Sequence, residues 1–139
     1  MLRPGGRYLF NVWDHLAGTV LHTAAEVVGQ FIGRDPFTLT SPPYHDIPAV
    51  EPALTRVGFV NSRGVPQPGV TEVESARRAA VITCHGSVLR THIDRHAPRR
   101  LNVITDAATD AIATRFGDGP IRAPRNAVLF TAVRPGGPP

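Results

Sequence analysis

Lysine is absent from this chain, cysteine and tryptophan each occur once, and no apolar run approaches the ~18 residues of a membrane-spanning helix. Each scarcity excludes something. A lone Cys84 cannot form an internal disulfide, so a reducing compartment is implied and the cytoplasm is the expected location. The opening Met1-Leu2-Arg3-Pro4 lacks the build of a signal peptide, and with no apolar span the chain is expected to make no use of a membrane. All 15 basic residues are arginine. They are spread through Arg3, Arg34, Arg56, Arg77, Arg99 and Arg125, without the clustered, aromatic-interleaved stripe of a nucleic-acid binder, so no nucleic-acid partner is expected. A formal charge of +4 beside 14 prolines and 13 glycines reads as coding bias and remains compatible with an anionic substrate. Also missing is any G-x-G-x-G or G-x-G-x-x-G run, the loop by which a backbone approaches a nucleotide beside a helix N-terminus.

What is present describes a globular chain. With 42% hydrophobic and 19% charged residues, its 139 residues suffice for one small domain, placed at 1–134 with a disordered tail at 135–139. The densest local signal is Leu2-Arg3-Pro4-Gly5-Gly6-Arg7-Tyr8-Leu9-Phe10-Asn11-Val12-Trp13-Asp14. Pro4 presets φ and the two glycines accept positive φ, so a tight turn opens straight into a strand. Tyr8, Phe10 and Val12 point to one face and Leu9, Asn11 and Trp13 to the other. Both faces are largely apolar, the pattern of a parallel strand covered on both sides.

Val20, Leu21, Ala24, Val27, Val28 and Phe31 keep helical spacing over about 17–32, ending at Gly33, and this helix is expected to pack on the sheet. Residues 34–46 read as a loop. Asp46 is a candidate cap for a helix running toward Val57 that begins near Pro52, because proline is tolerated in a first turn and not in a helix interior. A second strand is predicted over 59–65, ending at Pro66-Gln67-Pro68-Gly69. Helices follow over about 73–84 and 87–96, the latter capped by Ser87. A longer helix from near Pro98 carries the stripe Leu101, Ile104, Ala108, Ala111, Ile112 and Phe116 up to Gly117. The last strand is read over 126–133.

The opening turn and strand, then Tyr44-His45-Asp46, a short helix ending at Gly58-Phe59, Cys84-His85-Gly86-Ser87-Val88-Leu89-Arg90, and Arg115-Phe116-Gly117-Asp118-Gly119-Pro120 form an ordered set. In order and spacing it resembles the C-terminal half of class I S-adenosylmethionine-dependent methyltransferases, the small-molecule type related to the ubiquinone and menaquinone biosynthesis enzymes. The resemblance implies an α/β fold: the C-terminal part of a Rossmann-like domain. Its three-stranded mixed sheet would have the order first-last-second, with the last strand antiparallel to both neighbours, and helices at about 73–116 would form a cap over the substrate side. It implies S-adenosylmethionine as cofactor and a small-molecule methyl acceptor. The family's cofactor motif belongs to an N-terminal half that this sequence does not contain, so the chain alone is expected to be inactive. Its first strand would then expose an apolar edge, open to that missing half or to self-association. Three alternatives stand beside this reading: an interaction subunit or regulatory remnant that pairs through the sheet edge, a hydrolase using Cys84 or the histidines, and a non-catalytic fragment from a truncated gene with no function of its own.

Candidate site residues follow from position and chemistry. Trp13 and Asp14 fall at the carboxyl end of the first strand, where open α/β sheets hold ligands; otherwise Trp13 is core and Asp14 caps the next helix. Tyr44 and His45 face the same end. Histidine, with an ordinary pKa near ~6.5, suits His45 to remove a proton from a substrate hydroxyl. His85 and Arg90, in the predicted cap, are candidate substrate contacts, against the plainer reading of helix-face side chains. His92 and His96 share a helix face but lack the Glu of an H-E-x-x-H site, so no metal is expected. Cys84 beside His85 reads as a small buried side chain, because helix neighbours diverge by about 100°.

Overall fold

A computed structural model describes residues 2–40 and 45–136. In chain order the elements are β1 (Arg7–Trp13), α1 (Val20–Ile32), α2 (Pro36–Thr40), α3 (Ile47–Arg56), β2 (Val60–Gln67), β3 (Val70–Val73), α4 (Ala76–Gly86), α5 (Val88–His96), α6 (Leu101–Phe116), β4 (Ile121–Pro124) and β5 (Ala127–Val133). The fold class is mixed α/β. Among the described residues no helix is long and apolar enough to cross a membrane. The sequence reads as one domain over 1–134; its contacts divide into two compact units, one within Met1–His15, Pro43–Gly69 and Asn126–Pro139, the other within Leu16–Pro42 and Val70–Arg125. Of the tail, Pro135 and Gly136 carry no helix or strand, and 137–139 lie outside the described residues.

The first unit is a three-stranded sheet in the order β1-β5-β2, with β5 antiparallel to both neighbours. Its opening turn is built as its residues require. Gly5 has φ +76°, and a Cβ on Gly6 would lie 2.7 Å from the Arg3 carbonyl oxygen, which accepts the Gly6 N–H at 2.8 Å. Gly5 N–H donates to Arg134 O and Arg134 N–H to Gly6 O, each at 2.9 Å, tying the turn to the end of β5. Phe10 lies opposite Phe130 with stacked rings 5.0 Å apart, and Val12 opposite Val128. Val50, Ile47 and Leu54 of α3 cover this face.

The other face differs from expectation. The sequence predicts a strand covered on both sides, yet Leu9 is 63% exposed and Trp13 44%. Antiparallel pairing with β5 and the single helix α3 account for the first face alone. A second correction concerns Pro52, which lies inside α3; the helix starts at Ile47 with Pro48 in its first turn. One lost bond to the Pro48 carbonyl is outweighed by seating Val50 and Leu54 on the sheet. Asp46 holds the N-cap position, though only its carbonyl contributes, accepting from Ala49 and Val50 N–H at 3.0 Å each; its carboxylate makes no cap bond.

The second unit is helical around one buried cluster that includes Ala24, Val28, Ala80, Cys84, Leu89, Ile93, Ile104, Ala108 and Ile112. Here α1, expected on the sheet, spends its apolar face on α4, α5 and α6. Its cap is Thr19, which accepts His22 N–H, and not Asp14. Ser75 and Ser87 cap α4 and α5. Three elements lie where the sequence reading placed none of their kind. Val70–Val73 pairs antiparallel with Ile121–Pro124 as a separate two-stranded sheet, and α2 occupies part of the 34–46 loop, where Asp35 Oδ1 accepts Phe37 N–H at 2.9 Å. Asp35-Pro36, a cap followed by a first-turn proline, is a signal that could have found α2.

Candidate functional site

The last residues of β1 set one wall of a recess in the first unit. Asp14 N–H donates to Asn126 O at 3.0 Å, carrying the β1–β5 ladder one residue beyond the strand. The chain then turns, with His15 N–H donating to Asp14 Oδ1 at 2.7 Å. The opposite wall is the start of α3, which supplies Asp46, Ile47 and Pro48 just after His45. The recess has a volume of about 380 Å³, and Pro66 and Val128 complete its lining.

Two imidazoles meet there. The His15 and His45 ring centroids are 4.4 Å apart at 61°, edge to face. His45 Nδ1 is buried and has no hydrogen-bond partner among the described residues. A buried polar atom without a partner is costly, so it marks a place where a ligand group can bond. The lining adds the carboxylates Asp14 and Asp46 and contains no arginine. Chemically this arrangement can hold a neutral or cationic molecule against an apolar wall and take a proton at one imidazole.

Asp14 and His45 of the sequence-derived candidates are therefore brought together, and His15 joins them. No sequence signal marked His15; it reaches His45 only because α3 starts beside the end of β1. Trp13 does not line the recess, lying on the strand position whose side chain alternates to the sheet's other face. Tyr44 lies outside the described residues.

His85 and Arg90 belong to the second unit. His85 Nε2 is 3.0 Å from Thr105 Oγ1, joining α4 to α6. Arg90 Nε lies 2.8 Å from both carboxylate oxygens of Asp94, one turn along α5. These are the plainer roles. Cys84 is fully buried and its thiol is pushed up by that burial, against hydrogen bonds with Thr83 and Thr105 that act the other way. That is the wrong direction for a nucleophilic thiolate. Among the described residues no group of three or more His, Cys, Asp and Glu could hold a metal ion.

Fit to the implied cofactor is tested by the glycines. Gly5 and Gly6 precede β1, at the end of the strand away from the recess, and both N–H groups are already bonded to backbone carbonyls. They do not form a phosphate- or nucleotide-type cradle, and the recess contains no glycine. No protein-family model matches the chain, and no curated protein matches it.

Proposed function

We propose that this chain is the acceptor-binding, C-terminal half of a class I S-adenosylmethionine-dependent methyltransferase that acts on a small molecule. The observation that carries the reading is the recess at the carboxyl end of β1, where Asp14, His15, His45 and Asp46 converge and His45 Nδ1 has no partner. The sheet order β1-β5-β2, with the last strand antiparallel to both neighbours, supports it too. It is the order the Rossmann-like resemblance implies for these three strands.

In this reading the chain's own residues bind and orient the acceptor. Ile47, Pro48, Pro66 and Val128 give the apolar wall, His45 accepts the proton that an acceptor hydroxyl or amine loses, and His15 restricts the His45 ring. The methyl donor is held by a separate cofactor-binding half.

Calorimetric titration tests this. S-adenosylmethionine added to the purified chain is expected to show no binding, and micromolar binding by the chain alone overturns the half-enzyme reading. Binding and methyl transfer that appear once a cofactor-binding half is supplied support it. A second reading, a non-catalytic interaction subunit, is favoured by one observation, the unpaired edge of β1 among the described strands.

A further inference from the structure

The two edges of the β1-β5-β2 sheet are built differently. Asp14 N–H bonds Asn126 O and Arg134 N–H bonds Gly6 O, which sets the phase of the ladder. Even-numbered residues of β1 turn their backbone groups toward β5, and Arg7, Leu9 and Asn11 turn theirs to the outer edge. On β2 the same alternation turns Gly64 and Pro66 outward. The Gly64 N–H is taken by Glu51 Oε1 at 2.7 Å, Pro66 has no N–H, and a register shift interrupts the ladder between Val60 and Arg63. A carboxylate, a proline and a bulge are devices that blunt an edge strand. β1 has none of them: its register with β5 is unbroken, it contains no proline, and no described strand lies on its outer side.

We infer that β1 is the contact between two copies of this chain, which pair antiparallel about a two-fold axis at Phe10 into one six-stranded sheet. The strand itself identifies the occupant as a second copy. A two-fold axis normal to the sheet pairs residues of the same face, and centring it on Phe10 sets Tyr8 opposite Val12 and Phe10 opposite Phe10 of the second copy. These are aromatic and β-branched pairs of the kind that stabilise sheets. On the open face Arg7 falls opposite Trp13 of the second copy, a cation over an indole, once at each end. Leu9, 63% exposed, falls opposite Asn11 of the second copy, and these two exchange backbone hydrogen bonds, twice by symmetry.

Sedimentation equilibrium of the full chain is the first measurement, with a dimer expected in the micromolar range. Asn11→Pro removes only an outward donor and leaves the β1–β5 bonds untouched, so it should raise the dimer dissociation constant at least about tenfold. Leu9→Lys, at an exposed position, should do the same, and far-UV circular dichroism of both variants should match the parent. Register is read by mixing Leu9→Cys with Asn11→Cys chains under mild oxidation. The mixture should form a disulfide-linked heterodimer that neither variant forms with itself; Cys84, fully buried, does not compete. A monomer at every concentration, a dimer indifferent to both substitutions, or absent cross-linking overturns the inference. If the chain is monomeric alone and pairs only with a supplied cofactor-binding half, the edge belongs to that half. The two-copy inference then falls while the methyltransferase reading stands.

Discussion

At Gly64 a methyl group has no room: a Cβ would lie 2.7 Å from Phe130 Cε1 and 2.8 Å from Ile47 Cγ1, so α3 reaches the sheet only because this residue is glycine. Gly64→Ala should cost about 1–3 kcal/mol, read as a lower urea midpoint, because the ring and the helix must both move. In the recess, His45→Gln should slow acceptor turnover of a completed enzyme about a hundredfold. A variant with unchanged turnover would remove His45 from proton transfer. His92 is a third residue with a definite sign. Burial first, then the neighbouring cations His96, Arg95 and Arg34, hold its pKa below the ordinary imidazole value. The unfolded chain therefore takes up the proton before the folded one as pH falls, so the contribution is full above about 6.5 and is lost below it. His92→Gln should reduce the difference in urea midpoint between pH 7 and pH 5; an unchanged difference would refute this.

Among the elements, α3 and the α4–α5 joint show how local rules are kept or overridden. Pro52 removes one helix bond to Pro48 O, and Pro52→Ala restores the N–H, so α3 should gain about 1–2 kcal/mol after the unfolded chain's added freedom is subtracted. Chemical denaturation measures this, and a destabilised variant would mean the ring itself packs on something that matters. Ser87 serves two helices: its Oγ donates to Thr83 O at 2.6 Å and accepts Leu89 N–H at 3.1 Å. The serine was legible as a cap because a small hydroxyl residue stands immediately before an apolar, helix-spaced run. β3 was not legible, since Val70–Val73 becomes a strand only by pairing with Ile121–Pro124, about fifty residues on.

For the whole molecule, the two units differ in how much they bury. The helical unit encloses a large contiguous cluster, whereas the buried cluster of the sheet unit comprises Val50, Val128 and Phe130. Hydrogen exchange should accordingly be slowest in α4 and α6 and faster in the sheet. Protection at the Leu9 and Asn11 amides should rise with protein concentration, because only a second copy covers that edge. Protection that is strong and independent of concentration would show the edge to be closed within one chain.

Whatever depends on a residue and its near neighbours was determined by the sequence itself. Pro4, Gly5 and Gly6 dictate the opening turn, the 3.6-residue stripes of Val20 to Phe31 and Leu101 to Phe116 dictate α1 and α6, and Gly33 and Gly117 end them. The aromatic and β-branched residues of Tyr8 to Trp13 favour a strand. Tertiary structure alone decided which partner each apolar face took, because α1 presents the same stripe to a sheet or to helices and α6 wins it. It also decided that one face of β1 stays open, and it set His15 against His45 across thirty residues. Distances of that kind depend on the packing of α3 on β2 and β5, where Gly64 lets Ile47 and Phe130 approach, and no local periodicity encodes them.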